Sequence, residues 1–211
     1  MAKDSGHTKD SGKAASIWTP ANIVTCIRVV MVPVWLAVAE LSVASVGTNV
    51  SVSALVTMVL FALISLTDKV DGYLARSRGE VTTFGKFLDP IADKLVVIVA
   101  LCFLLENGLV SSWVVLVVIT REFVVSGLRM VVASQGVVIA ASNLGKWKTA
   151  TTMVALCGLL LARALPEGML YLAVWGISFV ALIAAVILTI WSGFDYCVKS
   201  WPALTVPQDE S

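Results

Sequence analysis

Asp68-Lys69-Val70-Asp71-Gly72-Tyr73-Leu74-Ala75-Arg76, followed by Gly85-Lys86-Phe87-Leu88-Asp89-Pro90-Ile91-Ala92-Asp93, sets four aspartates between two long apolar segments. Asp68 and Asp71 are three residues apart, and Asp89 and Asp93 are four apart. On two helices, each pair shares a face with Cβ atoms about 5–6 Å from one another. Four carboxylates then converge on one interhelical cleft. A carboxylate at the centre of a bilayer costs at least about 2.5–3.5 kcal/mol on insertion scales, so such a cluster belongs near the interface or is neutralised by cations. All-oxygen ligation suits Mg²⁺ or Mn²⁺, and two such ions about 3.5–4 Å apart clamp a phosphoryl group in transfer. Gly72 and Gly85 permit either close approach of a ligand such as a nucleotide or tight helix packing. Arg76, two turns from Asp68, suits a phosphate through charge-assisted hydrogen bonds. Pro90 kinks the third helix or marks a late start. The plainer alternative is that these aspartates cap two helices and pair with Lys69, Lys86 and Lys94. The joint spacing, with Gly and Ala-Arg in register, favours a site.

Working outward, apolar segments occupy roughly 20–42, 50–67, 91–105, 110–132, 147–165 and 168–192. The third reaches a spanning length only if its helix begins near Thr83 or Phe84. Hydrophobic residues make up 58% of the 211 and charged residues 14%, too apolar and too sparsely charged for a water-soluble globular domain. About 20 apolar residues per span leaves room for about six, so the expected fold is an all-α integral membrane domain of six transmembrane helices. Residues 1–16 read as a disordered cytoplasmic tail, 17–196 as the membrane catalytic domain and 197–211 as a cytoplasmic C-terminal tail. Ala37-Val38-Ala39 has the look of a signal-peptide cleavage site, but Arg28, Pro33 and the five later segments favour a retained helix.

All of the 15 Lys and Arg except Arg163 fall at one set of segment ends. The positive-inside rule puts those ends and both termini in the cytoplasm. Tyr171, Trp113, Trp175 and Trp191 fit interfacial anchors. A net charge of +1 gives no reason to expect nucleic acid as a partner. Cys26, Cys102, Cys157 and Cys197 are far apart in or beside apolar runs and read as packing residues. The only histidine, His7, lies in the polar tail, which excludes a Ser-His-Asp triad and a histidine zinc site in the body of the protein.

The aspartate stretch resembles the CDP-alcohol phosphotransferase family, whose signature DGxxAR is preceded by DxxD and followed by GxxxDxxxD. Asp68, Asp71, Gly72, Ala75, Arg76, Gly85, Asp89 and Asp93 match every fixed position. The resemblance implies a six-helix membrane fold, usually a homodimer, with its site open to the cytoplasm, in a bacterial inner membrane. It implies that Asp68, Asp71 and Asp89 bind divalent metal, two Mg²⁺ or Mn²⁺ ions, and that Asp93 is both near the metals and the general base. Gly72, Arg76 and Thr82 would contact the CDP portion of the lipid donor, with Asn22 and Thr25 as further candidates at the nucleotide end. An intramembrane prenyltransferase also uses aspartates and Mg²⁺, but its clusters lie farther apart on a longer chain.

The acceptor has to be read elsewhere. Thr120-Arg121-Glu122-Phe123-Val124-Val125-Ser126-Gly127-Leu128-Arg129 and Gly145-Lys146-Trp147-Lys148-Thr149 lie on the same expected cytoplasmic side. Arg121 and Arg129, eight apart, share roughly one helix face. With Lys146 and Lys148 they offer up to four cations for an acceptor phosphate, although positive-inside topology alone also places Lys and Arg there. Both segments resemble those of the branch of the family that uses sn-glycerol 3-phosphate. The resulting expectation is transfer of the phosphatidyl group from CDP-diacylglycerol to sn-glycerol 3-phosphate with release of CMP. Inositol phosphate, serine or phosphatidylglycerol as acceptor is the alternative. A small-ion transporter is a more distant one, disfavoured because nearly all the charge lies on one side.

Overall fold

A computed structural model describes residues 19–43, 50–78, 83–135 and 143–205. They form six α-helices: α1 Pro20–Val43, α2 Val52–Arg78, α3 Thr83–Glu106, α4 Ser112–Ser134, α5 Asn143–Ala164 and α6 Met169–Thr205. The all-helical expectation holds among the described residues. Two of the helices, over Asn22–Val43 and Met169–Pro202, are long and apolar enough to cross a membrane. The tail 1–16, with His7, and residues 206–211 lie outside the described residues.

Helix α3 begins at Thr83, the start that a spanning length requires, and runs through Pro90 without a late beginning. It ends where Asn107-Gly108 supplies a stop. Gly108 has φ 70°, a left-handed conformation that costs glycine little. Its N–H donates to Leu105 O at 3.0 Å and that of Leu109 to Leu104 O at 2.9 Å, which satisfies the last carbonyls in a Schellman motif. Ser111 then caps α4, its Oγ accepting from Trp113 N at 3.4 Å.

The last helix runs past residue 196, where the C-terminal tail was expected to begin, and continues to Thr205. The extension is stabilised within its own surface by Lys199 donating to Asp195 at 2.8 Å, an i,i+4 pair, a spacing that supports a helix where a tail was expected. The boundary was hard to place because apolar density falls there while helical periodicity does not.

The core gathers around Trp35 of α1. Its indole N–H donates to Thr57 O at 2.9 Å, and its ring centroid lies 5.7 Å from those of Phe61 on α2 and Phe103 on α3. Leu156, Leu159 and Leu160 bring α5 against this cluster. Helix α6 packs on α5 and α4, away from α1 and α2. Gly158 allows a close approach of α5 to α6, because a Cβ there would lie against Ser178 Oγ and 2.9 Å from Ser178 Cβ. The four cysteines are all free thiols. Three are partly buried as packing residues should be, whereas Cys102 faces outward from the bundle.

Helix ends meet at two poles. At one, Ser51 N, beside the start of α2, donates to Ala164 O at the end of α5 at 2.9 Å. Arg163 lies at the same pole, its guanidinium 4.6 Å from the centre of the Phe103 ring. The opposite pole carries the polar networks described next.

Candidate functional site

Helix α1 turns a polar stripe inward. Asn22, Thr25 and Arg28, three residues apart in succession, are all buried. Arg28 Nη1 donates to Asp93 Oδ1 on α3 at 2.8 Å, and its Nε reaches Thr67 Oγ1 on α2 at 3.5 Å. One buried guanidinium thus ties three helices together at the residue next to Asp68. The Asp93 side chain stays 42% exposed while that of Arg28 is 2% exposed. A carboxylate held by Arg28 and still partly exposed is oriented without being sealed off.

Residues 68, 71, 72 and 76 lie on α2 and residue 89 on α3, so the predicted helical setting of the aspartate motif is present. The side chains of Asp68, Asp71, Arg76 and Asp89, the surroundings of Gly72, and all of Thr82 lie outside the described residues. Among the described residues no three His, Cys, Asp or Glu side chains gather as a metal site. Fit to a metal therefore rests on donor chemistry: four carboxylates with neither nitrogen nor sulfur suit a hard divalent cation.

The residue after Asp93 opens a second network. Lys94 donates to Ser126 Oγ on α4, and Ser126 Oγ donates to Glu122 O at 2.6 Å. Glu122 Oε1 accepts from Lys148 Nζ on α5 and from Arg121 Nη1 at 3.2 Å. Arg121 Nη2 continues to Ser192 Oγ on α6 at 3.2 Å. The stem of Arg121 passes over Gly193, where a Cβ would lie 3.1 Å from Arg121 Cγ. Four helices, α3 to α6, meet in this cluster.

Of the four cations expected for the acceptor, Arg121 and Lys148 come together at one carboxylate. Arg129 instead lies over the Tyr196 ring, 5.8 Å from its centroid. Arg121 and Arg129 both reach α6, as their eight-residue spacing predicted. Lys146 is exposed. Positions two apart on a helix do not face each other, so it points away from the direction Lys148 takes. Glu122, Ser126, Ser192 and Thr67 were not singled out from the sequence, and Lys94 entered only as a pairing partner for the aspartates. Glu122 had a signal, since a lone acid inside an apolar segment requires a partner. The hydroxyls had none.

Comparison with known proteins adds four findings. A sequence model of the family described as CDP-alcohol phosphatidyltransferase matches residues 18–191. The chain is 43% identical over 188 residues to the Bacillus subtilis protein named CDP-diacylglycerol–glycerol-3-phosphate 3-phosphatidyltransferase, covering 87% of this chain and 95% of that one. It is 36% identical over 177 residues to the Haemophilus influenzae protein of the same name (82% and 88% covered). It is also 41% identical over 186 residues to a Mycobacterium tuberculosis protein named probable phosphatidylglycerophosphate synthase (88% and 83% covered).

Proposed function

The chain belongs to the CDP-alcohol phosphatidyltransferase family, and from that premise we propose that it is a phosphatidylglycerophosphate synthase. The 1-hydroxyl of sn-glycerol 3-phosphate attacks the phosphorus bonded to diacylglycerol in CDP-diacylglycerol. A new P–O bond forms, the bond to the CMP phosphate oxygen breaks, and CMP leaves. Asp93, oriented by Arg28, accepts the hydroxyl proton. Asp68, Asp71, Asp89 and Asp93 hold divalent ions, Mg²⁺ or Mn²⁺, which when bound neutralise charge on the diphosphate. Gly72, Arg76, Thr82, Asn22 and Thr25 receive the CDP portion. Arg121 and Lys148 bind the acceptor phosphate, with Lys146 and Arg129 at its margin. Little covalent work falls to the protein, so positioning and electrostatics supply most of the rate.

The observation that carries this reading is that adjacent residues of α3 serve the two networks. Asp93 belongs to the Arg28 network, and Lys94 joins the basic cluster through Ser126. A proton acceptor beside a cationic pocket is what a phosphorylated alcohol requires, and a neutral alcohol has no use for the second half. The names of the relatives support the same acceptor. In this reading all six helices span a bacterial inner membrane, with both termini and the polar pole cytoplasmic. The protein is a homodimer, and the acyl chains of the donor reach the bilayer between helices.

The test is CMP release from CDP-diacylglycerol by purified protein with each acceptor in turn. Turnover with sn-glycerol 3-phosphate and not with inositol phosphate, serine or phosphatidylglycerol is expected. Turnover with inositol phosphate alone would overturn the acceptor assignment and keep the donor.

A further inference from the structure

We infer that Glu122 is a positioning residue that assembles Arg121 and Lys148 into a preorganised receptor for a phosphomonoester dianion. The inference rests on the proposed phosphorylated acceptor and deepens it. Both cations converge on the same oxygen, Glu122 Oε1. Two positive groups held within hydrogen-bond reach of one atom repel each other, and the carboxylate between them offsets that repulsion. The side chains of Arg121, Glu122 and Lys148 are 15%, 12% and 9% exposed, so solvent screens little of either effect.

The sign of the cluster indicates the class of ligand. Arg121 and Lys148 share the Glu122 carboxylate and Lys94 reaches the same helix through Ser126, an excess of positive charge that suits a phosphomonoester at neutral pH with its charge of about −1.5 to −2. Arg121 supplies an independent pointer. Its Nη1 and Nη2 are engaged by Glu122 and Ser192, yet its Nε is buried with no acceptor among the described residues. A buried guanidinium N–H calls for an oxygen, and a phosphate brings three. The stem of Arg121 also passes close over Gly193, and Glu122 orients the guanidinium beyond it.

Glu122 touches no reacting atom in this scheme, which sets the readout. Steady-state CMP release is measured for the full-length protein in detergent, with each substrate varied. Glu122→Gln keeps the shape and removes the charge, and it is expected to raise the acceptor KM about tenfold or more while the donor KM changes less than about twofold. Glu122→Asp restores the charge at a shorter reach and is expected to fall between Gln and wild type, with a melting temperature near that of wild type. Equal rises in both KM values, or a fall in kcat with the acceptor KM unchanged, in Gln and Asp alike, would overturn the positioning role. If wild type uses inositol phosphate in place of glycerol 3-phosphate, the acceptor assignment fails, and the same KM split is read with inositol phosphate. If wild type releases CMP only with serine, or with no acceptor tested, both readings fail.

Discussion

Arg28 and Arg121 both sit inside the bundle, yet their partners give them different work. Arg28 binds the carboxylate of Asp93, which the proposed reaction uses. Asp93→Asn preserves shape and removes the proton acceptor, so CMP release is expected to fall to background, and retention of most of the activity would remove Asp93 as the base. Arg121→Ala leaves the Arg28 network untouched. It is expected to raise the acceptor KM more than the donor KM, and the reverse order in the same assay would move Arg121 to the donor site. At this scale Asp93 was legible from the spacing of the aspartates, and Arg121 and Lys148 from two basic segments on one expected side. Which cation would meet which acid was not. Arg28 and Asp93 are 65 positions apart and Lys148 and Glu122 are 26 apart, and no local periodicity encodes such pairings. Ser126 and Ser192 matter only through the side chains that cross to them from another helix, so their types alone carried no signal.

Among the elements, the third helix was the most legible at its start, because a spanning length required it to begin near Thr83 or Phe84 and it begins at Thr83. The sixth was least so, because its helix continues to Thr205, beyond its apolar run. The contact between α5 and α6 rests on a position that sequence periodicity does not distinguish. At Gly158 an added Cβ would meet the Cβ of Ser178 as well as its hydroxyl, so a rotamer change at Ser178 cannot relieve the clash. Gly158→Ala is expected to destabilise the protein by about 1–3 kcal/mol, and Gly158→Val by more. The check is thermal unfolding in detergent, and an unchanged melting temperature for Gly158→Ala would show that the two helices separate at no cost. Because Lys148 is on α5 and Ser192 on α6, this loosening should also weaken the acceptor cluster.

For the whole molecule, basic charge among the described residues is separated by pole. Arg163 stacks on Phe103 at one end, while Arg28, Lys94, Arg121 and Lys148 belong to the networks at the other. This asymmetry was readable directly from the positions of Lys and Arg, and it is the same feature that the proposed orientation uses. α6 has 37 residues, about 55 Å at 1.5 Å per residue, against a hydrocarbon core of about 30 Å, so in the proposed setting it extends beyond the apolar layer. If the aspartates hold divalent ions, treatment with EDTA should stop CMP release, and added Mg²⁺ or Mn²⁺ should restore it. Full activity in excess chelator would exclude a metal requirement.

The adjacency of Asp93 and Lys94 has a mechanical consequence. In a cleft lined by separate helices, the interval between two substrates drifts whenever the helices shift. Here one end of each network is fastened to consecutive links of a single rod, with Cα atoms about 3.8 Å apart and side chains turned about 100° from one another. In the proposed reaction the chain itself therefore acts as a covalent ruler between the Asp93 end of one network and the Lys94 end of the other.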